Sequence, residues 1–243
     1  MNPQELHQQI QRKGSFLCVG LDTDTRRLPA AVQTAPDPVL AFNQQIIAAT
    51  QASAVAYKPN LAFYEAQGAL GWQRLEQTMA AIPEDIFTIA DAKRGDIGNT
   101  SRLYARTFFE TYDFDAVTVA PYMGKDSVAP FLEFEDKWVF LLALTSNPSS
   151  RDFQYQVSDG QKLYMRVIEQ SLRWAEEFPG HLGFVVGATQ AESLAEIRRM
   201  APDAFLLVPG VGAQGGDLAA VCQNGQNDLG GLLINSSRGI IYA

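Results

Sequence analysis

Cysteine and histidine are scarce, with two of each among 243 residues. Two thiols, Cys18 and Cys222, cannot build a disulfide framework or a four-cysteine zinc site. Their apolar sequence surroundings suit reduced core thiols of a cytoplasmic protein. His7 falls in a leading helical segment and His181 just before an apolar run, so no Ser-His-Asp set or histidine-rich metal site assembles. Long apolar runs are missing too. None approaches the roughly 18 to 20 residues of a membrane span, and the polar start MNPQELHQQIQRKG has no signal-peptide pattern. Positive charge is in deficit: 19 Lys and Arg against 27 Asp and Glu give a net charge of -8. That balance excludes the basic footprint needed for nucleic acid, but not a small anion held by a few local cations.

Short apolar runs recur along the chain. FLCVGL begins at Phe16, AVAYKP at Ala54, IFTIAD at Ile86 and DAVTVAP at Asp115. WVFLLALT begins at Trp138, LGFVVG at Leu182, AFLLVPG at Ala204 and GGLLINSS at Gly230. They alternate little between apolar and polar, as strands buried on both faces do. Segments of helical period lie between them, including AFNQQIIAATQ, YMRVIEQSLRWAEE and AESLAEIRRM. Thr189 and Glu192 have the spacing of a capping box at the start of the last.

Eight strands alternating with helices build either a closed barrel or a doubly wound open sheet. The spacing of about 30 residues per unit favours an α/β, (β/α)8 TIM barrel. No linker divides residues 1–243, so a single barrel domain is expected. The residues after the eighth run are too few for a full helix, so the barrel is expected to lack its last one. The polar stretch 147–158 follows the fifth strand at the end where a lid would sit.

Charged residues gather where these strands end. Asp91 and Lys93 leave the third strand two residues apart, which in extended chain points them to one side. Asp96 follows near the start of a helix, where a carboxylate is favoured. Lys58 ends the second strand and Asp22 follows the first. Lys58, Asp91, Lys93 and Asp96 form a cluster of alternating sign in which each group keeps its neighbour ionised. That suits Lys93 as a charged acid and poorly suits a neutral nucleophilic lysine.

The seventh strand runs into Gly210, Gly212 and Gly215, spaced as GxGxxG. A dinucleotide fingerprint should open the first βαβ unit, with an acidic residue ending the next strand. Here the next strand ends in INSSRG. The amides after the seventh and eighth strands, with Gln214 and Arg238, therefore read as a phosphate cradle.

The segments VGLDTD, AYKPN, DAKRGDIGNT, TSNPSS, PGVGAQGG and NSSRG resemble those of the orotidine 5'-phosphate decarboxylase family, most of all its longer bacterial subgroup. The resemblance spans residues 16–242. It implies a homodimer that converts orotidine 5'-monophosphate to UMP and CO2 in pyrimidine biosynthesis, without metal or other cofactor. By the same resemblance, Asp22 and Lys58 hold ribose hydroxyls, and Lys58 also anchors Asp91. Asp91 faces the orotate carboxylate, and Lys93 protonates C6 of the ring. Asp96 and Thr100 enter the partner's site, and Ser146 bonds the pyrimidine. Pro209 and Gln214 border the closed loop, and Gln214, Ser237 and Arg238 take the 5'-phosphate. Ser237 stands where many members have glycine. Two alternatives stay open: a Mg2+-dependent sugar-phosphate decarboxylase or aldolase of the same superfamily, and a noncatalytic nucleotide-binding barrel.

Overall fold

The computed structural model describes residues 1–188, 191–211 and 215–243, with residue 191 described by its backbone alone. Eight parallel strands close into a barrel. They are β1 (Leu17–Gly20), β2 (Ala54–Lys58), β3 (Phe87–Arg94), β4 (Ala116–Val119), β5 (Trp138–Leu144), β6 (His181–Val186), β7 (Leu206–Pro209) and β8 (Leu232–Ser236). β1 closes the ring on β8, with Leu17 opposite Ile234 and Val19 opposite Ser236. Each strand coincides with one of the apolar runs. Every residue of β2 and of β4 is buried, which explains why their sequences do not alternate.

The helices are α1 (Pro3–Lys13), α2 (Pro38–Thr50), α3 (Leu61–Glu65), α4 (Ala69–Met79), α5 (Gly98–Arg106), α6 (Lys125–Leu132), α7 (Leu163–Ala175), α8 (Ala191–Met200), α9 (Leu218–Gly225) and α10 (Arg238–Ile241). The last strand is followed by α10, a single four-residue turn and not a full barrel helix. Tyr242 stacks on Phe42 of α2, and its hydroxyl accepts a hydrogen bond from Asp24 N at 2.9 Å. Residue 189 of the expected capping box lies outside the described residues. The polar stretch after β5 contains a 3-10 turn (Pro148–Asp152) and a hairpin pairing Val157–Ser158 with Gln161–Lys162. Among the described residues no helix is long and apolar enough to cross a membrane.

One end of the barrel is sealed. Asn2 and Glu5 form a reciprocal capping box that starts α1, and Gly14, at φ 56°, ends it. Leu6 and Ile10 of α1 pack with Phe87, Trp138, Phe140 and Phe205 inside the barrel. Trp138 Nε1 donates to the Met1 carbonyl at 2.7 Å. His181 opens β6 at this end, with its ring against Trp138. Chemistry is thereby confined to the opposite end, where the strands finish.

The sealed end also has an internal clamp. The Arg198 guanidinium donates to the carbonyls of Ala201, Pro202, Ala204, Gly225 and Gly231 at 2.6–3.0 Å. Burial draws its pKa down to about 10, so it stays charged at neutral pH. Methionine keeps the aliphatic stem and supplies no donors. We expect Arg198→Met to lower stability by about 3 kcal/mol, because several carbonyls lose a charged partner together. A fall in the urea midpoint, with kcat per folded molecule unchanged, is the outcome to look for. An unchanged midpoint would refute the clamp.

Candidate active site

Lys58 ends β2 inside the mouth of the barrel and is only 4% exposed. Its ammonium donates to Asp91 Oδ2 at 2.7 Å. The other carboxylate oxygen, Asp91 Oδ1, accepts from the Lys93 ammonium and, at 3.3 Å, from the Thr118 hydroxyl. The Asp91 backbone N–H donates to the Pro59 carbonyl at 3.1 Å, which extends the β2–β3 pairing to the site itself. Lys93 is on the solvent side, with half of its side chain exposed.

These contacts fix the charge states. Burial pushes the Asp91 carboxyl upward, but Lys58 and Lys93 outweigh it and hold the pKa at about 2. Burial pulls the Lys58 ammonium downward, but Asp91 and Asp22 outweigh it and leave the pKa raised. Both groups are therefore ionised at neutral pH. Asp22 Oδ1 is buried without a hydrogen-bond partner among the described residues, an acceptor able to take a donor. Cys18 lies beneath this cluster and not among purely apolar groups. Its thiol donates to Asn235 Oδ1 at 3.6 Å, and its pKa is pushed up to about 12, chiefly by burial. It is inert as a nucleophile.

A cavity of about 630 Å3 opens over the three charged groups. Leu142, Val185 and Leu207 form an apolar wall, while Thr118, Thr145, Ser146 and Asn147 add polar groups and Pro209 borders it. Ser146 reaches this position because residue 187 is glycine: a Cβ there would lie 2.9 Å from Ser146 N and Oγ. Among the described residues no three His, Cys, Asp or Glu side chains come together as a metal-ligand set.

The sequence-based site is thus divided. Lys58, Asp91, Lys93, Ser146 and Pro209 line one cavity. Asp22 stands near enough to raise the Lys58 pKa. Asp96 does not join the charged cluster within the chain, contrary to expectation. Asp96 follows the end of β3, and among the described residues its Oδ1 accepts only from the Ile97 N–H, at 2.8 Å. Asp96 also precedes the helix cap, which is Ile97. Thr100 is exposed on the first turn of α5. Ser237 and Arg238 follow β8 on the same rim as β1. Gly20 permits this, since a Cβ there would meet Ser237 Oγ at 1.8 Å. Arg238 is exposed and makes no ion pair among the described residues. Gln214 and Gly212 lie outside the described residues, whereas Gly210 and Gly215 both have positive φ, at 95° and 83°.

The profile of the orotidine 5'-phosphate decarboxylase / HUMPS family matches residues 15–243. The chain belongs to this family. Within it, the chain is similar to the orotidine 5'-phosphate decarboxylase of Christiangramia forsetii, with 58% identity over all of this chain and 90% of the relative. It is 56% identical to the enzyme of that name from Phocaeicola vulgatus, again over all of this chain and 90% of the relative. Among solved structures, the OMP decarboxylase of Leishmania donovani superposes with a TM-score of 0.87 at 39% identity, covering 98% of this chain and 90% of that one.

Sequence reasoning missed Thr118 and the apolar wall. Thr118 had a signal: it is the one polar residue among the buried side chains of β4. Leu142, Val185 and Leu207 had none, because they are indistinguishable in sequence from the rest of the core.

Proposed function

We propose that the protein decarboxylates orotidine 5'-monophosphate to UMP and CO2, the step that completes UMP in pyrimidine biosynthesis. The observation that carries this reading is the Lys58–Asp91–Lys93 line at the mouth of the cavity, in a chain of this family. The C6–carboxylate bond breaks and its electron pair stays on C6, in the ring plane, where the π system cannot delocalise it. A fixed ammonium beside C6 stabilises that charge, and Lys93 then transfers its proton to the carbon. The exposed lysine recovers a proton from solvent. Asp91 lies beside the substrate carboxylate, whose departure relieves the repulsion between them. The apolar wall offers departing CO2 a surface without competing donors.

The remaining contacts are those the family resemblance implies. Asp22 and Lys58 take ribose hydroxyls, the orphaned Asp22 oxygen being a ready acceptor. Ser146 bonds the pyrimidine, and Pro209 borders it. Arg238, Ser237, Gln214 and the amides after β7 hold the 5'-phosphate, whose binding energy orders the loops over the ring.

Asp96 and Thr100 serve the neighbouring site of a homodimer. This assignment is supported by their place outside the cavity and by the exposed apolar side chains around them. Ile97 is 59% exposed, Leu103 51%, Tyr122 91% and Met123 48%. A patch of this kind beside a carboxylate that lies outside the cavity suits an interface between copies of the chain. A cytoplasmic location accompanies the reading.

The alternative is a Mg2+-dependent enzyme on a keto-sugar phosphate. Against it stands the engagement of both Asp91 oxygens by ammonium groups, so a divalent ion would have to displace one of them. An ultraviolet assay of orotidine 5'-monophosphate loss, run with and without EDTA, tests the proposal. We expect equal rates in the two samples. No loss of this substrate, with EDTA-sensitive turnover of a keto-sugar phosphate, would overturn it. Binding of UMP without any CO2 release would instead favour a noncatalytic barrel.

A further inference from the structure

β3 is not regular where it passes the site. Ile89 and Ala90 pair with Ala116 and Val117 of β4, and the next pair joins Arg94 to Val119. Residues 91–93 therefore oppose a single residue of β4, Thr118. A bulge of this kind leaves backbone groups without ladder partners and re-aims the side chains it carries. Asp91 and Lys93 share a side for this reason, and not through the alternation of an extended strand.

The Thr118 side chain fills the interrupted ladder. It is 1% exposed. Its hydroxyl accepts from the Lys93 backbone N–H at 2.9 Å and donates to Asp91 Oδ1 at 3.3 Å. The polarity of this relay is forced. An N–H only donates and an ionised carboxylate only accepts, so the single hydroxyl proton points at Asp91. The Lys93 ammonium holds that same Oδ1 atom. Thr118 thus links both ends of Lys93, backbone and head group, to one carboxylate oxygen. Lys93 sits at φ 47°, a value that residues with a Cβ seldom adopt and that needs an external restraint.

We propose that Thr118 is a positioning residue for the reaction: its hydroxyl aims the Lys93 ammonium by tying the Lys93 backbone to Asp91 across the bulge. This rests on the reading of Lys93 as proton donor and adds what points it. Small displacements of a donor from the reacting atom lower the rate steeply, while ligand contacts made elsewhere in the cavity survive.

The test compares Thr118→Val, Thr118→Ser and Lys93→Ala, with kcat, KM and UMP affinity measured for each. Valine keeps the shape and removes both hydrogen bonds; serine keeps both. We expect Thr118→Val to lose about 10- to 100-fold in kcat, the range for a lost hydrogen bond to a charged group. KM and UMP affinity should stay within about threefold, and Thr118→Ser should recover most of kcat. Three results would overturn the proposal: full kcat in Thr118→Val, equal losses in the valine and serine variants, or a loss confined to KM. If the valine variant does not fold, Thr118→Ala against Thr118→Ser gives the same comparison. Lys93→Ala separates the two layers. An active Lys93→Ala refutes the donor assignment, whereas an inactive one beside a fully active Thr118→Val refutes the positioning role alone.

Discussion

Replacing Lys93 with alanine should cut turnover of orotidine 5'-monophosphate by on the order of 10^4-fold or more while leaving the barrel folded. The size follows from the two jobs assigned to one group. A positioned general acid contributes about 10^2- to 10^4-fold, and removal of one preorganised charge-stabilising donor costs about 10^2- to 10^3-fold. The fold survives because half of the Lys93 side chain is exposed and Asp91 keeps Lys58 and Thr118 as partners. UMP should still bind, since the apolar wall and Ser146 are untouched. The measurement is the ultraviolet assay together with circular dichroism and a UMP titration. Activity within tenfold of wild type, in a correctly folded variant, would remove the proposed acid.

Mixing two inactive variants should restore about one quarter of wild-type activity. Asp96→Ala protomers keep Lys93, and Lys93→Ala protomers keep Asp96. Random exchange at equal concentration makes half of the dimers hybrid, and each hybrid has one site with both groups and one with neither. The prediction follows from where the chain puts Asp96, beyond the cavity and, among the described residues, bonded only to its own neighbour's N–H. Exchange is verified independently by native mass spectrometry of tagged protomers. Proven hybrids without activity would mean that Asp96 is not shared between subunits.

Much of this architecture can be read from the residues because the barrel's demands are local. A strand buried on both faces must be apolar throughout, and eight such runs mark the eight strands. The site is legible for a related reason. A charged residue directly after an apolar strand can only be at the mouth, so Lys58 and Asp91 announce themselves. Other features depend on longer-range choices. The bulge at residues 91–93 carries no glycine, and only the pairing with β4 reveals it. Asp96 looks like a neighbour of Lys93 by spacing, but it caps no strand end at the cavity and bonds the Ile97 N–H instead. The hairpin at residues 157–162 forms from polar residues without strand periodicity, and its exposed Val157 is its one apolar side chain.

The left-handed backbone at Lys93 has an evolutionary implication. A residue with a Cβ in that region costs about 1 to 2 kcal/mol relative to a relaxed conformation. Glycine at this position would relieve the cost and delete the ammonium in one substitution. Selection for robustness alone would therefore favour a sturdier, silent barrel, so the strained lysine trades backbone ease for an ammonium at the cavity mouth.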